Sequence, residues 1–256
     1  MVVLLEKAYG AFSSKYMEQR LSSLCEGLRV KVRLQGRTER NWVEVEVTGE
    51  DQTAALRLLD REIGLTPVFP NKVRKFSVLR GRIIDSGKSP TELRVDVGVF
   101  SPKVYDATIS LQSLQAQLAD GKKLPLKRLV ELFCLYDHIP LSIKIIGSLN
   151  TQKGVWKAEL SETQLSMLTD WVNSSVDRLM VFGATLQDVE RAIEAAKHHR
   201  DVIKVESLGL LEHAIECRLG TDAAGLIPKL GPYLRAVSLA PFSPRRIKQL
   251  IDRPWF

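Results

Sequence analysis

Between residues 178 and 251, strand and helix signals alternate in one readable order, and that order restricts the fold more than any single motif. Arg178-Leu-Met-Val-Phe-Gly183 is an apolar run closed by glycine, the pattern of a buried strand. Residues 185–200 then carry Leu186, Val189, Ile193 and Ala196 at helical spacing behind Thr185, a suitable N-cap. Residues 202–207 and 211–219 read as two strands around a Leu208-Gly209 turn. Asp222 caps a second helix over Ala223, Leu226, Ile227 and Leu230, stopped near Gly231-Pro232. Residues 236–240 form the last strand, and Ser243-Pro244 opens a basic helix with proline at its first position. The order β-α-β-β-α-β is that of the ferredoxin-like split βαβ unit.

The first 70 residues repeat the pattern: a strand at 2–5, a helix at 12–26, a hairpin of 29–35 and 42–47 around Gly36, and a helix at 51–63. Residues 66–69 would supply the fourth strand, and Pro67 and Pro70 mark a boundary. The middle differs. Strands are predicted at 76–84, 92–99 and 105–109, helices at 111–118 and 126–135, and further strands at 141–146 and 155–160. A small curled β-unit with a helical insertion fits this order, and an amphipathic helix at 162–175 links it to the last unit. The prediction is an α+β protein of three units. Two ferredoxin-like units, 1–72 and 161–256, flank a small barrel at 73–160.

Two resemblances follow from local runs. Gly81-Arg-Ile-Ile-Asp-Ser-Gly87 with Leu93-Arg-Val-Asp-Val-Gly98 resembles the opening hairpin of S1-type oligonucleotide-binding (OB) barrels. Asp177 to Gly183, Ile203 to His213, and Leu219-Gly-Thr-Asp222 continuing to Gly231 resemble an archaeal protein family defined as a domain of unknown function. That resemblance spans nearly the whole chain. It implies a cytoplasmic archaeal protein with a role in information processing, and brings no catalytic or binding residues with it.

Charge narrows the function classes. The net charge is +7, and residues 1–150 hold 23 basic and 17 acidic residues against 14 and 13 in the remainder. A polyanionic partner suits that balance. Candidate nucleic-acid contacts are Lys72, Arg74, Lys75, Arg80, Arg82 and Lys88 in one run, and Lys122, Lys123, Lys127 and Arg128 in another. If the middle unit is a barrel, the two runs could flank one groove and hold a phosphate backbone. Arg245, Arg246 and Lys248 oppose the dipole of the last helix, which hints at an anion or acidic partner. On the first sheet, Arg33 is expected beside Glu44 and Lys31 beside Glu46, a salt-bridged solvated face.

Other motifs read as structure. Cys25, Cys134 and Cys217 are widely spaced among apolar residues and read as small core hydrophobes. Cys134 and His138 lack an oxyanion site, and Lys197-His198-His199-Arg200 suits a helix C-terminus. No glycine pattern cradles a phosphate. Metal and cofactor are therefore not expected. No apolar run reaches the roughly 20 residues of a membrane span, and residues 1–6 read as a strand rather than a secretory leader. The leading expectation is a non-enzymatic factor binding RNA or a ribonucleoprotein in translation, ribosome maintenance or transcription. The alternative is a protein-interaction or oligomerisation module without nucleic-acid contact.

Overall fold

The computed structural model describes residues 1–251; residues 252–256, which end the third unit in the sequence reading and include Trp255, lie outside the described residues. The first unit is β1 (Val2–Lys7), α1 (Ser14–Leu24), β2 (Val30–Arg37), β3 (Trp42–Gly49) and α2 (Gln52–Glu62). Its sheet has the order β1-β3-β2. Val43, Val45 and Val47 alternate onto the face beneath the helices and meet Met17, Leu21, Ala55 and Leu59 there. The expected fourth strand at 66–69 does not form. That segment makes one antiparallel bridge, Leu4 to Leu65, and then a parallel bridge from Val68 to Val99, so it straps the sheet to the next unit.

The second unit comprises β4 (Val78–Ile84), β5 (Glu92–Val99), β6 (Tyr105–Ser110), α3 (Leu111–Ala119), α4 (Leu126–Phe133), β7 (Pro140–Ile145) and β8 (Val155–Leu160). The strands close in the order β4-β5-β6-β8-β7, with β6 and β8 parallel. This is the five-stranded barrel of the OB fold, with α3 and α4 between its third and fourth strands. Leu93, Val95 and Val97 fill the interior with Ile83, Ile109, Ile143 and Trp156. A Cβ on Gly81 would lie 2.6 Å from the carbonyl oxygen of Asp96, so glycine permits β4 to press against β5 there.

α5 (Glu162–Asn173) leads to the third unit: β9 (Arg178–Phe182), α6 (Leu186–Ala195), β10 (Val202–Ser207), β11 (Glu212–Cys217), α7 (Ala223–Leu230), β12 (Ser238–Phe242) and α8 (Pro244–Leu250). The sheet order β10-β11-β9-β12 is the ferredoxin-like one. Thr185 closes a capping box with Asp188, and Asp222 accepts from the Ala224 amide at 3.1 Å. The last strand begins two residues later than its apolar run, because Ala236 takes φ +58° and turns the chain first. The three cysteines are buried, and burial pushes the Cys134 and Cys217 thiols up to about 12. No helix among the described residues is long and apolar enough to cross a membrane.

The register of the first hairpin differs from expectation. Arg33 faces Glu46 and Lys31 faces Thr48, because β2 runs on to Arg37 and the chain turns at residues 38–41, later than expected; a bulge between Leu34 and Gly36 then shifts the register by one residue. Glu46 accepts instead from Gln35 at 2.8 Å.

Candidate functional site

In OB barrels the second and third strands commonly carry the ligand, and here they are β5 and β6. In this chain that face is covered by the first unit. Trp42 is fully buried and donates from Nε1 to Asp96 at 3.2 Å, while Lys7 pairs with Asp96 at 2.6 Å. Arg40, at the tip of the β2–β3 hairpin, reaches Asp106 at 2.6 Å and Asp96 at 3.3 Å. Burial pushes the Lys7 ammonium below its ordinary value against the pull of Asp96, and pushes the Asp106 carboxyl up against the pull of Arg40. Undocked, this face would present Asp96 and Asp106 with Arg94 beside them, a mixed surface with no cationic excess for phosphate. The face holds a protein domain, and its chemistry suits that occupant.

Behind it lies a second ionic cluster, where all three units meet. Arg82, 3% exposed, projects from β4 between Glu6 of β1 and Glu212 of β11 and forms ion pairs with both. Its remaining donors go to the carbonyls of Leu5 at 3.0 Å and His138 at 3.1 Å. Glu6 also accepts from the Leu210 amide, and Tyr9 donates its hydroxyl to Glu212. Desolvation pushes the Glu6 carboxyl up, and Arg82 pulls it back. Gly209 is required by proximity, since a Cβ there would meet the Glu212 carboxylate and lie 2.7 Å from Arg82.

This placement removes Arg82 from the predicted basic surface. The other predicted residues divide into two groups. β4 begins, and β5 ends, at one end of the barrel, whereas α3 and α4 leave and re-enter at the other. A seven-residue strand separates the ends by about 20 Å. Lys72, Arg74 and Lys75 sit at the first end; Lys122, Lys123, Lys127 and Arg128 sit at the second. The single groove between the two runs is therefore not formed. The second run instead adjoins α8: Arg128 and Arg246 line one cleft of about 250 Å³ with Glu131, and the Lys122 ammonium donates to the Leu250 carbonyl at 3.4 Å. Arg245 is exposed beside Arg246, and Lys248 donates to the Ser175 hydroxyl at 3.2 Å. Lys88 is paired with Asp85 at 2.6 Å, and Arg80 lies against the Asp60 carbonyl.

The first end gathers more than the sequence indicated. The strap crosses it, joined to the β5–β6 loop by the Phe100 amide on the Val68 carbonyl, and the chain that follows is joined to β7 by the Phe76 amide on the Ile145 carbonyl at 2.7 Å. The β5–β6 and β7–β8 loops are joined by Lys103, which donates to the Thr151 carbonyl at 2.9 Å. Lys103, Lys153 and Lys157 thus enter the same rim as Lys72, Arg74 and Lys75, all of them exposed. The contributing stretches, 64–84, 97–105 and 138–158, contain no Asp or Glu. Within this rim Phe76 is 62% exposed, Val78 56% and Phe69 46%. The Lys75 ammonium lies 4.8 Å from the centre of the Phe76 ring. Acid-free stretches were the available sequence signal for Lys103, Lys153 and Lys157. A rim of cations with solvent-facing phenyl rings can hold an anionic chain and stack its planar groups.

No curated protein sequence matches significantly. Among solved structures, the chain is similar to the intact alpha subunit of aIF2 from Pyrococcus abyssi, at 8% identity over 65% of this chain and 97% of that one, with a TM-score of 0.24. Two family models match, the DUF2110 N-terminal domain over residues 1–67 and the DUF2110 C-terminal domain over residues 176–240, together a little over half of the chain. With both terminal domains matched in order around the barrel, the chain belongs to the DUF2110 family.

Proposed function

We propose that this protein is a non-enzymatic factor that binds single-stranded RNA, alone or within a ribonucleoprotein, through the basic aromatic rim of its barrel. The observation that carries the reading is the acid-free rim of Lys72, Arg74, Lys75, Lys103, Lys153 and Lys157 around exposed Phe69 and Phe76. Lysine and arginine neutralise phosphate, and the phenyl rings offer stacking surfaces tolerant of base identity. A stiff duplex has no free bases to stack, so an unpaired strand is the better match. The cations at α4 and α8 provide a second phosphate-binding surface for a chain long enough to pass along the barrel. Translation, ribosome maintenance and transcription are the settings in which such a factor would act.

The test is fluorescence anisotropy with mixed-sequence single-stranded RNA at several salt concentrations. Lys72→Glu/Arg74→Glu/Lys75→Glu removes three cations and should flatten the slope of log K against log salt by about 2, from roughly 0.7 per phosphate contact. Phe76→Ala should weaken binding by about 1–3 kcal/mol while leaving that slope unchanged. Equal RNA affinity in wild type and both variants would sink the proposal and turn the search to protein partners.

A further inference from the structure

At the end of the barrel opposite the basic rim, a cleft of about 690 Å³ opens where the three units meet. Tyr9 and Gly10 come from the first unit, Tyr136, Asp137 and His138 from the α4–β7 turn, and Phe182 and Ser238 from the third unit's sheet. Interfaces between domains are a preferred location for small-molecule sites.

Three observations mark this cleft as built rather than left over. Backbone with positive φ concentrates on it: His138 at +74°, Ala236 at +58°, Gly10 at +52° and Gly183 at +95°. For His138 and Ala236 such geometry costs free energy, and it persists where surrounding structure enforces it. Gly10 and Gly183 touch through their backbones, with the Ala11 amide donating to the Gly183 carbonyl at 2.9 Å, which fixes one wall. The His138 ring stacks on Tyr9 at 3.8 Å between centres and 16° between planes, and among the described residues its buried Nδ1 has no hydrogen-bond partner.

The lining also selects a chemistry. Tyr9, Tyr136, Phe182 and His138 give aromatic walls. Asp137 is its one carboxylate, and no Lys or Arg lines it. Phosphate is disfavoured for want of a cation. Behind the wall Glu212 acts on His138 against Lys7 and Arg82, so the buried charges there oppose one another, and Asp137 is the one charge that an organic cation would meet in the cleft. An uncharged planar group satisfies the aromatic walls, and Asp137 accepts hydrogen bonds from amino or imino donors on its edge, as carboxylates do from cytosine. We infer that the three-unit cleft binds a nucleobase bearing amino donors, either as a free nucleoside or as an unpaired base of RNA. The inference stands apart from the rim, since the two sites lie at opposite ends of the barrel.

The experiment is saturation-transfer NMR and calorimetric titration of the whole chain with guanosine, cytidine, adenosine, uridine, guanosine 5′-monophosphate and choline, and anisotropy with a short single-stranded RNA. Guanosine or cytidine should bind more tightly than uridine, and the monophosphate no better than the nucleoside. Asp137→Asn keeps an acceptor for the Ser86 amide, which Asp137 holds at 2.7 Å, and should weaken guanosine roughly tenfold. Ser238→Trp, at an exposed position, should fill the cleft and abolish binding in a protein whose circular dichroism and melting are unchanged. RNA affinity that falls in Ser238→Trp identifies an RNA base as the source; nucleoside binding with RNA affinity unaffected identifies a free nucleoside. Failure of every nucleoside to bind, choline binding in their place, or nucleoside binding indifferent to both variants would overturn the inference.

Discussion

Replacing Arg82 by Met tests whether three units are held by one buried charge. The substitution keeps most of the side-chain volume and removes the guanidinium from between Glu6 and Glu212, which are 6% and 2% exposed. Two buried carboxylates then lose their counter-charge, and the Leu5 and His138 carbonyls lose a donor. Breaking a buried pair by deleting one partner costs about 3–5 kcal/mol. For a chain of this size that lowers the melting temperature by roughly 6–20 °C, at about 2–4 °C per kcal/mol. The pH dependence separates this cause from lost packing. The Glu6 carboxyl already sits above its ordinary value in the folded protein, because desolvation outweighs Arg82. A raised folded pKa means stability is fully present below the unfolded value and is lost as pH climbs through the folded one. Without Arg82 the shift grows, so the deficit of the variant should be largest near pH 8 and shrink towards pH 5, by up to about 1.4 kcal/mol per pH unit for each proton taken up. The assay is urea unfolding of wild type and Arg82→Met at pH 5, 6.5 and 8, with Glu6→Gln/Arg82→Met/Glu212→Gln as the charge-free control. The triple variant should recover most of the loss at pH 8. A deficit below about 1 kcal/mol at pH 8, or one that does not change with pH, would refute the electrostatic account.

Three further outcomes are expected. Gly209→Ala should destabilise the protein by about 1–3 kcal/mol in thermal melts, since its methyl group must displace the Arg82–Glu212 pair. His213 is fully buried between the Ala184 carbonyl and the Ser207 hydroxyl, and desolvation holds its folded pKa below the ordinary value. Unfolded chains therefore bind the extra proton, and stability contributed by His213 is lost as pH falls from about 6.5; His213→Gln should flatten that part of the urea-derived profile. With all three thiols buried, and those of Cys134 and Cys217 pushed up to about 12, a thiol reagent at pH 8 should label the native chain slowly and the denatured chain at three sites at once.

Much of the third unit was legible because its elements bury stripes that sequence period alone reveals, and because its caps are local. Thr185 and Asp222 act within three residues of themselves. The barrel's strands were legible for the same reason, and its closure was suggested by the hairpin around Gly81 and Asp96. The charge chemistry was not. Arg94 and Asp96 alternate against Leu93 and Val95 in a pattern identical to that of a solvated strand face, yet Asp96 is buried beneath another unit. Glu6, Arg82 and Glu212 lie 76 and 130 positions apart, beyond the reach of any spacing rule. Arg82 therefore read as one more cation in a basic run. The same limit applied to the rim, where Lys103 and Lys153 join Lys72 only because three loops close one end of a barrel.

The strap at 65–69 stands where the first sheet would otherwise have a fourth strand, and this changes what can be separated from what. The outer edge of β1 is occupied by the Leu5 amide on the Gly64 carbonyl and the Thr66 amide on the Val3 carbonyl, while Val68 continues onto the barrel. A fragment ending near residue 67 would keep its hydrophobic face, Val3, Leu5 and Trp42, with no barrel to cover it and with its β1 edge held by only a frayed tail. Open edges next to an apolar surface recruit other strands. Such a fragment should assemble with itself through β1, and soluble halves of this protein would need to be cut so that the strap and the barrel stay together with the first sheet.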